Sequence, residues 1–335
     1  MIPRRLSASL VVLRDASSRS SSSTDFEVLM VQRSARMAFA ANTWVFPGGL
    51  WDIADGLTHG TGTESDQSGG TSSQTSKVLR TIALRECFEE TGVLPLAPGE
   101  AGRVGNRNWT MASWSAWREK IRRDAKCWPS FLHEVRGDGA DQDLFPSVTP
   151  LCAFITPTFE AERSSREYLT YFFIAQLHSS SSSSSSSEPW ANCAVDGEES
   201  VRSAWLTPQE ILARSSDGSI SFFPPQFYIL QRLCAFESAD DAISGAKWFS
   251  ADDKSEKKGG GREEGKRCLP IVMRPELVGK GNLVLPLDAE HSKYPGPDMA
   301  RHRVVDWSLR EGSAKLEMND SAASLLHGGD RAWQW

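Results

Sequence analysis

Few cysteines, no long apolar run and no excess of positive charge narrow the possibilities before any motif is read. The six cysteines, Cys87, Cys127, Cys152, Cys193, Cys234 and Cys268, are widely separated along 335 residues. Their spacing suits neither a zinc ribbon nor a disulfide-rich scaffold. They read as reduced, buried thiols that pack as small apolar groups, and the compartment expected is intracellular. No stretch approaches the roughly 20 apolar residues that a membrane-spanning helix needs, so no membrane partner is expected. A net charge of -6 offers no basic face for DNA. Histidine is also scarce, at six residues without a spaced cluster, which leaves any metal chemistry to carboxylates.

Apolar residues make up 39% of the chain, and the shortfall is concentrated in Ser- and Gly-rich stretches. The first is the N-terminus. Residues 1–24 carry Arg4, Arg5, Arg14 and Arg19, many serines and only one acid, Asp15, the composition of a transit peptide. Ala8-Ser9-Leu10-Val11-Val12-Leu13 within it reads as a buried strand, and that reading is preferred. Residues 56–77 and 179–187 lack any apolar periodicity and are expected to be disordered insertions. The chain ends in Trp333-Gln334-Trp335 and shows no Ser-Lys-Leu-type peroxisomal address.

Between these stretches, strands are expected over 7–14, 26–32, 44–46, 148–156, 168–177 and 201–206. The first two read as a hairpin with an expanded tip, and Pro47-Gly48-Gly49 reads as the stop after the third. Helices are expected over 78–91, 111–125, 128–135 and 208–214, and from 224 to about 235. In the first helix Leu79, Ile82, Ala83 and Cys87 recur at helical spacing, and Gly92 is placed to end it. The expected division is a main domain over 5–250, a linker over 251–267, a strand-bearing extension over 268–311 and a disordered tail over 312–335.

The helix over 78–91 places Glu86, Glu89 and Glu90 at i, i+3 and i+4, on one face. Like charges at that spacing destabilise a helix by about 0.2–0.5 kcal/mol per pair. A solvated acidic face is one outcome of such a pattern. A divalent cation is the other, because Mg²⁺ takes carboxylate oxygens while bridging to substrate phosphates.

The surroundings favour the cation. Phe46-Pro47-Gly48-Gly49 precedes the helix, which carries Arg85-Glu86-Cys87-Phe88-Glu89-Glu90-Thr91-Gly92-Val93. Together these resemble the signature of Nudix hydrolases: a Gly, five residues, an acid, a connector, then Arg-Glu-apolar-x-Glu-Glu-x-Gly-apolar. Two features depart from it. The acid position falls on Asp55, where the family usually has Glu, and the connector, usually seven residues, runs from 56 to 84. Arg33-Ser34, Gly49-Leu50-Trp51-Asp52, the split signature, Trp205-Leu206-Thr207-Pro208 and Pro224-Pro225-Gln226-Phe227-Tyr228 are similar to the peroxisomal-type coenzyme A diphosphatases of that family. The similarity covers about residues 5 to 290 and is weak over 95–147.

The resemblance implies an α/β/α sandwich with a mixed, curved sheet. It implies Mg²⁺ or Mn²⁺ held by Glu86, Glu89 and Glu90, and Arg85 orienting one of them through an ion pair. Glu199 would bring a further acid to the site. Gly48 and Gly49 would supply a tight turn and close backbone approach to substrate. Arg33, with Arg163, is a candidate for holding a substrate phosphate, and Asp52 and Asp55 are weaker candidates for polar support. Trp44, Trp205, Phe227 and Tyr228 could stack on an adenine but are better read as core. The implied substrate is a small nucleotide-linked molecule, coenzyme A or an acyl-coenzyme A. NADH, ADP-ribose or a capped RNA end remain alternatives, as does a module that binds a nucleotide without cutting it. The resemblance suggests a peroxisome, with mitochondrion and cytoplasm open. The oligomeric state is left open.

Overall fold

A computed structural model of the chain describes residues 4–16, 24–37, 41–57, 73–97, 100–101, 104, 109–137, 148–156, 167–178 and 188–246. Beyond these it describes strands over 272–273, 276–278, 282–284, 302–308 and 313–318. Strands β1 (Arg4–Asp15), β2 (Phe26–Arg33), β3 (Trp44–Val45) and β4 (Gly48–Leu50) lead into the short helix α1 (Ile53–Leu57) and the long helix α2 (Ser73–Thr91). Two further helices follow, α3 (Met111–Arg123) and α4 (Trp128–Arg136), then strands β5 (Thr149–Ile155), β6 (Glu167–Gln176) and β7 (Ser200–Leu206). Helices α5 (Pro208–Ser216), α6 (Pro224–Leu233) and α7 (Ala239–Ala246) and strand β8 (Val272–Met273) complete the main layers.

The sheet is mixed, ordered β3-β2-β1-β6-β5-β8, with β4 joined to β1 and β7 to β2. The pairs β1–β6 and β5–β8 are parallel, whereas β1–β2, β1–β4, β2–β7 and β5–β6 are antiparallel. Alternation along the strands builds one core on each face. Ala8, Leu10, Val12, Leu29, Phe173 and Ala175 pack against α2, α3 and α4 on one side. Val11, Leu13, Val28, Met30, Phe172 and Ile174 pack on the other, against residues of α5, α6 and α7. This is the expected sandwich: an open mixed sheet between helical layers. Strands β9 (Glu276–Val278), β10 (Asn282–Val284), β11 (His302–Ser308) and β12 (Ser313–Met318) form a second, antiparallel sheet in the order β12-β11-β10-β9.

The structure differs from the sequence reading at four places, and for two of them the cause is plain. Gly48 and Gly49 do not make a turn; they pair as strand β4 with Ser9 and Ala8 of β1. A Cβ on Gly48 would strike the Ala8 carbonyl and the Ser9 side chain, so the missing side chain permits close strand packing. Helices α1 and α2 run into the polar stretch from both ends, to Leu57 and from Ser73, because a helix continues through polar residues once its apolar part is anchored. Helix α7 has no counterpart in that reading, and β12 lies in what reads as a tail. The serine run over 179–187 and the linker over 251–267 fall outside the described residues, as do Arg163 and Cys268.

Candidate active site

Helix α2 is held along most of its circumference. Leu79, Ile82, Ala83, Leu84, Cys87 and Phe88 are fully buried. Phe88 stacks on Phe131 at 4.5 Å between centroids and meets Trp114 edge-on at 5.4 Å, so α3 and α4 form an aromatic platform behind the helix. Gly92 takes φ +73° and its N–H bonds to the Phe88 carbonyl at 2.8 Å, which ends the helix as expected. The remaining face carries Arg85, Glu86, Glu89 and Glu90.

Arg85 is the centre of this face and is buried. Its Nε donates to Asp55 Oδ1 at 2.7 Å and its Nη2 to Asp55 Oδ2 at 3.0 Å, a bidentate pair. Its Nη1 donates to Glu89 Oε1 at 2.7 Å, and Nη2 lies 3.0 Å from Glu86 Oε1. Burial works against the arginine charge, but the bond to Asp55 and the fields of Glu86, Asp55 and Glu89 outweigh it and hold the pKa above the ordinary arginine value. Asp55, at 1% exposure, also accepts from the Asp52 N–H at 2.9 Å and so fixes the turn into α1. The sequence reading gave Asp55 only a supporting part; the structure makes it the anchor of Arg85.

Burial pushes Glu86 up to about 8, with Glu89 and Asp55 raising it further and Arg85 opposing them. Glu89 is also raised by burial, and Arg85 opposes the shift. Glu90 is raised well above the usual carboxylate range, by burial first and then by Glu86, although the Gly48 N–H donates to its Oε2 at 3.2 Å. Arg33 lowers the pKa of Glu90 and Glu199 raises it, so both stand within the field of this face. A Cβ on Gly49 would collide with the Glu86 carboxylate, which explains a glycine there without any turn. Arg33 lies at the end of β2, and its buried Nε has no hydrogen-bond partner among the described residues. Glu199 is exposed, just before β7, with its carbonyl accepting from the Ser34 N–H at 2.8 Å.

Among the described residues no three His, Cys, Asp or Glu side chains close into a metal cage. Glu86 and Glu89 each give one oxygen to Arg85, and Glu90 gives one to the Gly48 N–H. The donor set nevertheless fits a hard divalent cation, because every donor is an oxygen and Asp55, Glu86 and Glu89 share one guanidinium. The raised pKa values come first from burial and then from the neighbouring acids.

The sign of this effect gives a prediction. Between about 4.5 and about 8 the unfolded chain has released the Glu86 proton while the folded site retains it, so metal-free protein loses stability as pH rises through that window. A cation bound only by the ionised, folded site reverses the loss. Adding Mg²⁺ or Mn²⁺ is expected to raise Tm by several degrees more at about pH 8 than at about pH 6. An unchanged Tm at both values would exclude a cation at these carboxylates.

Of the aromatic residues considered for stacking, two belong to the core and two are partly buried against it. Tyr228 and Phe227 are buried, Trp44 packs against their cluster, and Trp205 lies under the Arg14 guanidinium at 4.3 Å. Cys87 and Cys152 are fully enclosed, and burial pushes their thiols up, away from nucleophilic use. No described helix is long and apolar enough to cross a membrane.

Arg118 escaped the sequence reading. Its Nε donates to the Glu89 carbonyl at 2.8 Å and its Nη1 to the Ala194 carbonyl at 2.6 Å. The readable signal was its position, four residues after Trp114 on the same inward stripe of α3.

Comparisons with known proteins find a family and a shared fold. The family model described as the NUDT19 Nudix domain matches residues 63–233, half of the chain, including Arg85 through Val93 but beginning after Gly48, Gly49 and Asp55. An acyl-coenzyme A diphosphatase NUDT19 of Gallus gallus is 28% identical, over 92% of this chain and 87% of that protein. The human protein of the same name is 27% identical over 64% of this chain and 62% of its own length. A crystal structure of a Nudix hydrolase from Alicyclobacillus acidocaldarius shares the fold, with a TM-score of 0.51 and 22% identity over 73% of this chain and 97% of that one.

Proposed function

The chain belongs to the NUDT19 Nudix-domain family and is a Nudix diphosphatase, and we propose that it cleaves coenzyme A or an acyl-coenzyme A. Water would add across the P–O–P bond, giving 3′,5′-ADP and 4′-phosphopantetheine or its acyl form. The observation that carries the reading is the buried carboxylate face of α2, with Arg85 locked by Asp55 and Glu90 joined to the Gly48 N–H. Names of the relatives support the substrate.

Nudix hydrolases use divalent metal ions, and Glu86, Glu89 and Glu90 would hold one here. Such an ion, when bound, neutralises the diphosphate and lowers the pKa of a water. The protein's own part is orientation and proton transfer. Arg85 fixes the rotamers of Glu86 and Glu89, and Asp55 fixes Arg85. Gly49 leaves the Glu86 carboxylate room that any side chain would take. The Gly48–Gly49 backbone allows a diphosphate to approach closely. Glu199, exposed beside this face, would take the proton released by the attacking water. Arg33 would pair with a substrate phosphate, since a guanidinium gives two parallel N–H bonds to such oxygens.

The substrate test compares coenzyme A with dephospho-coenzyme A, NADH, ADP-ribose and capped RNA, with Mg²⁺ and with Mn²⁺. The 3′-phosphate carries close to two negative charges, so kcat/KM is expected to favour coenzyme A and the preference to weaken as salt rises. A better turnover of NADH, ADP-ribose or capped RNA would retain the Nudix chemistry and remove the coenzyme A assignment. Binding without hydrolysis of any of them would point to a nucleotide-binding module.

A further inference from the structure

The C-terminal end of α2 exposes carbonyls that no later turn of helix can satisfy. Three groups outside the helix meet them. The Glu89 carbonyl accepts from Arg118 Nε at 2.8 Å, the Thr91 carbonyl from the Ala194 N–H at 2.9 Å, and the Gly92 carbonyl from Trp114 Nε1 at 2.8 Å. Arg118 does more than cap, because its Nη1 also donates to the Ala194 carbonyl at 2.6 Å. One rigid fork therefore joins the residue that bears the Glu89 carboxylate to the segment leading to Glu199.

That segment is itself tightly built. The Asp196 carboxylate is buried and accepts from the Glu198 N–H at 3.0 Å and the Ser200 N–H at 2.9 Å. Gly197 takes φ +78°, and its N–H bonds to the Ser200 carbonyl at 2.9 Å. Arg122, one turn after Arg118, pairs with Glu198 at 2.7 Å and lies 3.8 Å from Asp196. The Glu199 carbonyl is tied to β2 through the Ser34 N–H. The turn is stiff; β2 holds its far end, and its near end meets α2 through the Thr91–Ala194 bond and the one bridge that Arg118 makes with its two bonds.

We infer that Arg118 is a positioning residue, whose guanidinium sets the distance between the Glu86, Glu89 and Glu90 face and Glu199 and so controls turnover without touching substrate. The inference rests on the proposed diphosphatase reading and on the part given there to Glu199. Lysine cannot replace it, because one ammonium lacks the planar fork that reaches two carbonyls at once. Displacement of a reacting group by about 1 Å can cost on the order of a hundredfold, and a partial displacement costs less.

The test uses the full chain carrying Arg118→Met, Arg118→Lys, Glu199→Gln, or Arg118→Met with Glu199→Gln. Coenzyme A hydrolysis gives kcat and KM, and each variant is followed by Tm and by amide hydrogen exchange. Arg118→Met is expected to lower kcat about 30-fold with KM within about threefold, Arg118→Lys to restore little of it, and the loss to disappear in the Glu199→Gln background. Exchange is expected to rise at 194–200 while the amides of 79–88 stay protected. A lower Tm with unchanged kcat, or losses that multiply in the double variant, would make Arg118 an ordinary helix cap and overturn the inference. Should Arg118→Met fail to fold, Arg118→Lys decides by the same measures. Should the wild-type protein cleave nothing, the diphosphatase reading fails separately. The exchange comparison then decides alone, because wild-type protection at 194–200 in the variant excludes any positioning by Arg118.

Discussion

Glu89→Gln is expected to slow hydrolysis about a thousandfold while leaving the fold intact, and EDTA is expected to abolish the activity of the unaltered protein. The substitution keeps the shape of the side chain and an oxygen that can still accept from Arg85 Nη1, now at 2.7 Å. What it removes is one negative charge from a set that would hold a divalent cation. Loss of such a contact is worth several kcal/mol in the transition state. Stability moves the other way or not at all, because Glu89 is a partly buried acid whose ionised form is disfavoured. The check is kcat with saturating Mg²⁺ or Mn²⁺, alongside Tm. Normal turnover by Glu89→Gln, or full activity in rigorously metal-free protein, would exclude the mechanism.

Asp55→Asn should be the most damaging single change to stability at the site. Asp55 and Arg85 are both nearly inaccessible, at 1% and 3% exposure. Asp55 accepts from Arg85 Nε, Arg85 Nη2 and the Asp52 N–H. Asparagine keeps the volume but has one acceptor oxygen in place of two, so its amide NH₂ must face a donor. Breaking a buried pair by removing one charge typically costs about 3–5 kcal/mol. Arg85 retains Glu86 and Glu89, which places the cost near the lower end, about 3 kcal/mol, or a fall in Tm of roughly 6–12 °C. Activity should fall about a hundredfold, because an unanchored Arg85 no longer fixes the two glutamates. Asp55→Glu restores the charge in a longer side chain and should cost only about 1–3 kcal/mol through overpacking. A Tm for Asp55→Asn within a degree or so of wild type would show that the pair does not hold the site together.

The chemistry of α2 was legible because its rules are local. Glu86, Glu89 and Glu90 share a face by helical geometry alone, and Gly92 ends the helix through its own backbone freedom. The strands were legible for the same reason. The near-continuous apolar runs in 7–14 and 26–32 mark strands covered on both faces, and β1 and β2 carry the two cores. The cores also confirm that Phe227 and Tyr228 are packing residues, since aromatics in a helix with apolar neighbours bury before they bind.

What the sequence could not decide depends on residues brought together from distant parts of the chain. Asp55 and Arg85 are 30 residues apart, and only the packing of α1 against α2 makes them a bidentate pair. Gly48 and Gly49 look like a turn in sequence, but the neighbouring strand β1 makes them strand, and the nearby Glu86 carboxylate excludes a side chain there. Arg118 meets partners far from it in the chain, Glu89 and Ala194, 29 and 76 residues away. Helical periodicity sets which side chains share a face, and that information lies within a few residues of chain. Which backbone carbonyl meets a long flexible guanidinium is set by how whole layers pack, and no local pattern carries it.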